Sequence, residues 1–150
     1  MLSTVSDLVQ FANAMLYSYQ HHGSTEAGNS PPTPSYLKQD TVEKMWTVVE
    51  KTERKGQGYG LGWAVVPKRN KFGGIKSTPF YVYHTGGAIG ACSVLLILPR
   101  SNVDSIVVEK DRGSSELPRG VSVAIICNLQ GINLEPVAMK IAQAFQKCSN

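Results

Sequence analysis

The sequence is short of cysteine, of charge and of long apolar runs, and each shortage removes a class of protein. Three cysteines, Cys92, Cys127 and Cys148, lie 35 and 21 residues apart. An odd number so spaced fits neither a disulfide framework nor the close pairs of a zinc site. The longest apolar run, Val94 to Pro99, stops after six residues, which suits a buried strand and not a membrane span. Charged residues make up 17% of the chain and hydrophobic ones 42%, which excludes disordered, collagen-like and coiled-coil architectures. Lysine and arginine are absent before Lys38. A transit peptide needs arginines and a secretory signal a basic start, so the opening residues are expected to be neither.

The cations that do occur are clustered. Residues 51–76 hold Lys51, Arg54, Lys55, Lys68, Arg69, Lys71 and Lys76 against Glu53, a local +6 in a chain whose total is +4. Such a stretch can attract a phosphate backbone or an anionic surface. Its basic segments hold one aromatic, Phe72, and no nucleic-acid motif, so solvated loops flanking a strand account for it and no nucleic-acid partner is expected.

Thr4 with Asp7 three residues on is a capping-box pattern, and Leu8, Phe11, Ala12, Met15 and Leu16 recur at helical spacing, predicting a helix over about 4–17. Residues 21–34, rich in Gly, Ser, Thr, Asn and Pro, predict a surface loop. Asp40 is a candidate cap for a second helix over about 40–49, with Glu43 reciprocal and Val42, Met45, Trp46 and Val49 as its apolar stripe. From 58 to 66, Tyr59, Leu61, Trp63 and Val65 alternate with Gly58, Gly60, Gly62 and Ala64, which predicts a strand with one bare face. Glycine weakens a strand unless a backbone or ligand comes close, so that face is expected against a helix or a site.

After a basic turn come strands over about 80–86 and 91–98, a polar loop of about twenty residues, and a strand over 121–127. Asn133 is a candidate cap for a last helix over about 134–147, with Val137, Ala138, Ile141 and Phe145 as its buried face. Without βαβ alternation, the fold class is α+β: an antiparallel meander flanked by helices.

The residues that most invite chemistry are His84, Thr85, Gly86 and Gly87. A hydroxyl beside two glycines leaves an open backbone edge to which an extended substrate can add, with Thr85 as a donor and the Gly87 N–H free for an oxyanion. A glycine-rich bulge around a buried histidine fits the same four letters. Cys92 with His84 could be a nucleophile and its base, or Cys92 a small buried hydrophobe. His21 and His22 could bind a metal, yet adjacent histidines diverge and have no carboxylate nearby, as in a solvated loop. Tyr59 and Trp63 fit core anchors better than substrate platforms.

The order Gly-Tyr-Gly-Leu-Gly-Trp at 58–63, Tyr-His-Thr-Gly-Gly-Ala-Ile-Gly at 83–90, a strand ending in Leu98-Pro99, and Val-Ala-Ile-Ile-Cys-Asn at 123–128 before a terminal helix resembles the serine β-lactamase and penicillin-binding-protein superfamily. Within it the class C and esterase-like branch, and its animal mitochondrial members, look most alike. The opening Met-Leu-Ser-Thr-Val-Ser-Asp-Leu and the segment from Tyr36 to Trp46 match two helices of that branch. The resemblance implies acyl transfer, in which a Ser-x-x-Lys serine attacks a carbonyl, a Tyr-x-Asn motif serves the leaving group and a Lys-Thr-Gly strand docks the substrate.

Carried over by position, His84 stands at the family's lysine, Thr85 at its threonine and Gly86 at its glycine, and Gly87 supplies an oxyanion N–H. Histidine for a permanent cation disfavours penicillin-like carboxylates and suits peptide or ester carbonyls. The other motifs are missing. Ser35-Tyr36-Leu37-Lys38 is the one Ser-x-x-Lys string, it follows Pro34 at a loop's end, and chance alone supplies such a match; no Tyr-x-Asn occurs.

Residues 1–150 are thus expected to be the C-terminal half of one β-lactamase-related domain, with nucleophile and base upstream of Met1. The resemblance implies a peptidase-like hydrolase of mitochondria that self-associates into filaments and is linked to lipid metabolism. No cofactor, metal, nucleic-acid partner or membrane span is expected. A non-catalytic assembly module is the alternative.

Overall fold

The computed structural model describes residues 3–21, 35–70, 77–100 and 118–148. Helix α1 runs Val5–Gln20 from the expected capping box: Asp7 donates its N–H to the Thr4 hydroxyl and returns a carboxylate oxygen to the Thr4 N–H at 3.0 Å. Helix α2, Gln39–Met45, departs from expectation. Its N-cap is Lys38, with no side-chain cap bond, and Asp40 lies inside the first turn, where its charge still favours the helix dipole. The helix stops early because the Val49 N–H is taken by the Tyr59 carbonyl at 2.9 Å, which leaves Val49 exposed.

Six strands follow, β1 Glu50–Lys51, β2 Gly58–Tyr59, β3 Ala64–Val66, β4 Tyr81–Ala88, β5 Ala91–Pro99 and β6 Gly120–Cys127, and each pairs antiparallel with the next. Helix α3, Glu135–Cys148, closes the order. The α+β meander expected from the sequence is therefore present.

The single strand expected over 58–66 is instead the β2–β3 hairpin, with Gly58 opposite Val65 and Tyr59 opposite Ala64. The turn forms because the Gly60 N–H reaches the Trp63 carbonyl at 2.8 Å and Gly62 adopts a left-handed φ of 78°. The close approach inferred from the glycines is nonetheless real. A β-carbon on Gly60 would fall on the Met45 carbonyl, and one on Gly58 on the Val48 side chain.

The central strands are covered on both faces, which is why Val94–Leu98 is buried without alternation. On one face Met15 and Leu16 of α1, Val42 of α2 and Trp46 just after it pack on Trp63, Val65, Val82, Leu95 and Ile97. On the other, α3 lies over Tyr81, Tyr83, Val94, Leu96, Leu98 and Val123. The face it buries is Leu134, Ala138 and Ala142, one step round the helix from the expected stripe; of that stripe only Ala138 is buried, and Val137, Ile141 and Phe145 are exposed. Large tyrosines on the sheet leave room for alanines beneath the helix. Asn133 does accept the Glu135 N–H, at 3.2 Å.

The loop and turn expected at 22–34, 71–76 and 101–117 lie outside the described residues. Among the described residues no helix is long and apolar enough to cross a membrane.

Candidate functional site

His84, Thr85, Gly86 and Gly87 lie within β4, one to one against β5: His84 opposite Leu95, Thr85 opposite Val94, Gly86 opposite Ser93 and Gly87 opposite Cys92. There is no bulge, and His84 is exposed. Strand β3 pairs with β4 only at Tyr81, Val82 and Tyr83. Beyond Tyr83 it has already turned into the glycine hairpin, so among the described residues no strand covers the β3-side edge of residues 84–88. That edge is a row of backbone groups open to an extended chain.

Strand alternation divides the four residues between the two faces of the sheet. His84 follows Val82 in the alternation, and its ring meets the Tyr59 ring edge-on at 6.4 Å between centroids. Gly86 shares the face of His84, and a β-carbon there would fall on the Ser93 hydroxyl. Thr85 and Gly87 follow Tyr83 to the α3 face, where the space over Gly87 is open.

Here Thr85, Gly87, Cys92, Gln130, Ile132 and Asn133 line an open groove of about 600 Å³. Its far wall is held against the β4–β5 turn, since the Gly90 N–H donates to the Gln130 side-chain oxygen at 3.1 Å. Among the described residues the lining contains hydroxyls, amides, the Cys92 thiol and backbone but no carboxylate, imidazole or amine. It can hold a polar substrate, and it offers no base to activate a nucleophile.

Cys92 is half-buried with its side chain toward α3, whereas His84 points to the opposite face, so the two are not brought together as nucleophile and base. Ser35 donates its hydroxyl to the Leu37 carbonyl at 2.8 Å in the approach to α2. The His21 ring stacks on Tyr17 at 3.9 Å and bonds the Tyr17 carbonyl. His22 lies outside the described residues, among which no group of three metal-ligating side chains exists. Trp63 is a buried core anchor as expected, while Tyr59 is partly exposed.

Further along the α3 face lies a polar cluster that no motif announces. The Tyr81 hydroxyl donates to buried Glu135 at 2.7 Å, Arg54 pairs with the same carboxylate at 3.4 Å, and Tyr83 donates to Gln57 at 3.0 Å. Burial first, then the bond to Glu135 and its charge, push the Tyr81 phenol up from its ordinary value. Partners as far apart in the chain as Arg54 and Glu135 leave no local signal; only the alternation of Tyr81 and Tyr83 hints that both share a face.

No family model matches the chain. Three proteins named "Serine beta-lactamase-like protein LACTB, mitochondrial" are similar to it: that of Mus musculus at 45% identity, and those of Homo sapiens and Bos taurus at 43% each. Each alignment runs over 149 residues and takes in 97% of this chain, but only 26% of the relative. Over nearly all of its length the chain is therefore similar to a segment that spans about a quarter of these serine β-lactamase-like LACTB proteins.

Proposed function

We propose that this chain is the C-terminal half of a serine β-lactamase-like acyl-transfer domain and supplies its substrate-docking strand but not its nucleophile. The observation that carries this is the edge of β4 at residues 84–88, which no described strand covers, beside a groove whose described lining has hydroxyls and amides but no base. A substrate main chain adds along that edge, Thr85 hydrogen-bonds it, Gly86 admits its backbone, and the Gly87 N–H stabilises the oxyanion. His84 sets the local charge and favours peptide or ester carbonyls over carboxylate-bearing substrates. By resemblance, the whole protein is a mitochondrial peptidase-like hydrolase linked to lipid metabolism.

Labelling by a fluorophosphonate probe tests this. The 150-residue chain alone is expected to stay unlabelled, and the chain preceded by the upstream part of the mouse relative is expected to label at a serine in that added part. Labelling of the chain alone would refute the assignment.

A second reading, an assembly module, is favoured by the exposed apolar residues Val137, Ile141 and Phe145 on α3. It requires self-association that Ile141→Glu abolishes; a monomeric parent chain by sedimentation would exclude it.

A further inference from the structure

The basic stretch noted in the sequence folds in part around a second pocket, apart from the β4 groove. Arg54, Lys55, Gly56, Arg69, Tyr81 and Glu135 line a cavity of about 180 Å³. Its one carboxylate is already engaged: one Glu135 oxygen accepts from Tyr81 and the other faces Arg54. The Arg69 guanidinium and the Lys55 ammonium have no hydrogen-bond or ion-pair partner among the described residues. Three cations against one carboxylate leave the pocket at +2.

Arg54, Lys55 and Arg69 are exposed, but Arg69 is held in place from two sides. The Arg69 backbone is pinned by two bonds to Thr78, at 2.9 and 3.0 Å. Its guanidinium lies flat on Gly56, in the space that any β-carbon there would fill. Gly56 has a left-handed φ of 92°, which glycine adopts without strain. The fork of Arg69 is thereby presented to the cavity beside Lys55 as a point charge, the pairing suited to a tetrahedral oxyanion. At about 30 Å³ per water in the liquid, the cavity has room for one such group and a few waters, and not for a polymer.

We propose that this pocket binds a single phosphate group, as inorganic phosphate or a small soluble phosphomonoester, between Arg69 and Lys55, with Arg54 as the third cation. Titration of the chain with inorganic phosphate, followed by calorimetry against chloride at matched ionic strength, tests it. The expected result is one saturable site that Arg69→Gln and Lys55→Gln each weaken by about tenfold, the loss of one charge-assisted bond. Both variants keep the Arg69–Thr78 backbone bonds, and tryptophan fluorescence checks that each is folded. Absence of saturable binding, or equal affinity in Arg69→Gln, would overturn the proposal. Binding to phosphatidate vesicles without binding of inorganic phosphate would overturn it too, and would point to a membrane surface.

Discussion

Gly60→Ala probes the joint that turns β3 away from β4 and so leaves the docking edge open. A β-carbon at this position would coincide with the Met45 carbonyl oxygen and lie 2.8 Å from that of Thr47, both backbone atoms that no rotamer change can move. Ordinary contact needs about 3.5 Å, so the hairpin and the end of α2 must part by roughly an ångström. The Leu61 N–H bond to Met45, at 3.0 Å, cannot survive that shift. Overpacking costs about 1–3 kcal/mol and the lost hydrogen bond about 1 kcal/mol, so the variant should lose about 2–4 kcal/mol.

That is a large share of the roughly 5–15 kcal/mol typical of a domain. The measurement is urea unfolding followed by tryptophan fluorescence, since Trp46 and Trp63 sit beside this joint with ring centroids 6.0 Å apart. Two controls separate clash from backbone strain. Gly62→Ala, at φ 78° with nothing nearby, should lose about 1–2 kcal/mol for the left-handed conformation alone. Gly87→Ala, with open space over it, should stay within about 0.5 kcal/mol of the parent. A Gly60→Ala variant no less stable than Gly87→Ala would refute the reasoning.

Other consequences are equally direct. Fully buried Ser18 donates to the Ala14 carbonyl and accepts the Leu37 N–H at 3.1 Å, so Ser18→Ala orphans that N–H and should cost about 1–3 kcal/mol in the same unfolding assay. Because the folded Tyr81 phenol titrates above its unfolded value of 10.0, its stabilisation is complete below that pH and lost above it. Above pH 10.0, stability should fall by up to about 1.4 kcal/mol per pH unit from this group, and Tyr81→Phe should flatten that slope in an alkaline denaturation series. His84→Lys, in the chain joined to the upstream part of the mouse relative, should lower KM for a carboxylate-bearing penicillin-type substrate by about fivefold, the effect of about 1 kcal/mol of screened attraction. An unchanged KM would remove His84 from substrate selection.

Some self-contained local chemistry was legible in the sequence, although the Asp40 cap expected for α2 did not form. The Thr4 and Asp7 box is a relation between neighbours, and it opens α1 as its spacing requires. The apolar run from Val94 likewise becomes part of the interior strand β5. Features decided by distant partners were not legible. Alternating glycines at 58–62 suit a bare-faced strand and a tight hairpin equally, and only the approach of Met45 and the Gly60–Trp63 bond select the hairpin. On α3 two neighbouring stripes both have helical spacing, and hydropathy favours the bulkier one. Space above Tyr81 and Tyr83 selects Leu134, Ala138 and Ala142 instead.

At the site, the four-residue motif was found from its letters. The separation of His84 from Thr85 and Gly87 follows from strand alternation once β4 is known to run unbroken to Ala88. The cluster of Arg54, Tyr81 and Glu135, which the sheet and α3 assemble from three segments, was out of reach.

The central claim is that the β4 edge docks a substrate whose acyl group is taken by a serine outside this chain. Its most direct test is ester and peptide hydrolysis by the chain joined to the upstream part of the mouse relative, with Thr85→Val as the comparison. Valine keeps the shape of threonine and removes its hydroxyl. A drop in kcat/KM of about tenfold or more, with the unfolding midpoint unchanged, is the predicted result, matching the loss of about 1.4 kcal/mol of transition-state stabilisation. Hydrolysis at the parent rate by a folded Thr85→Val protein would contradict the account.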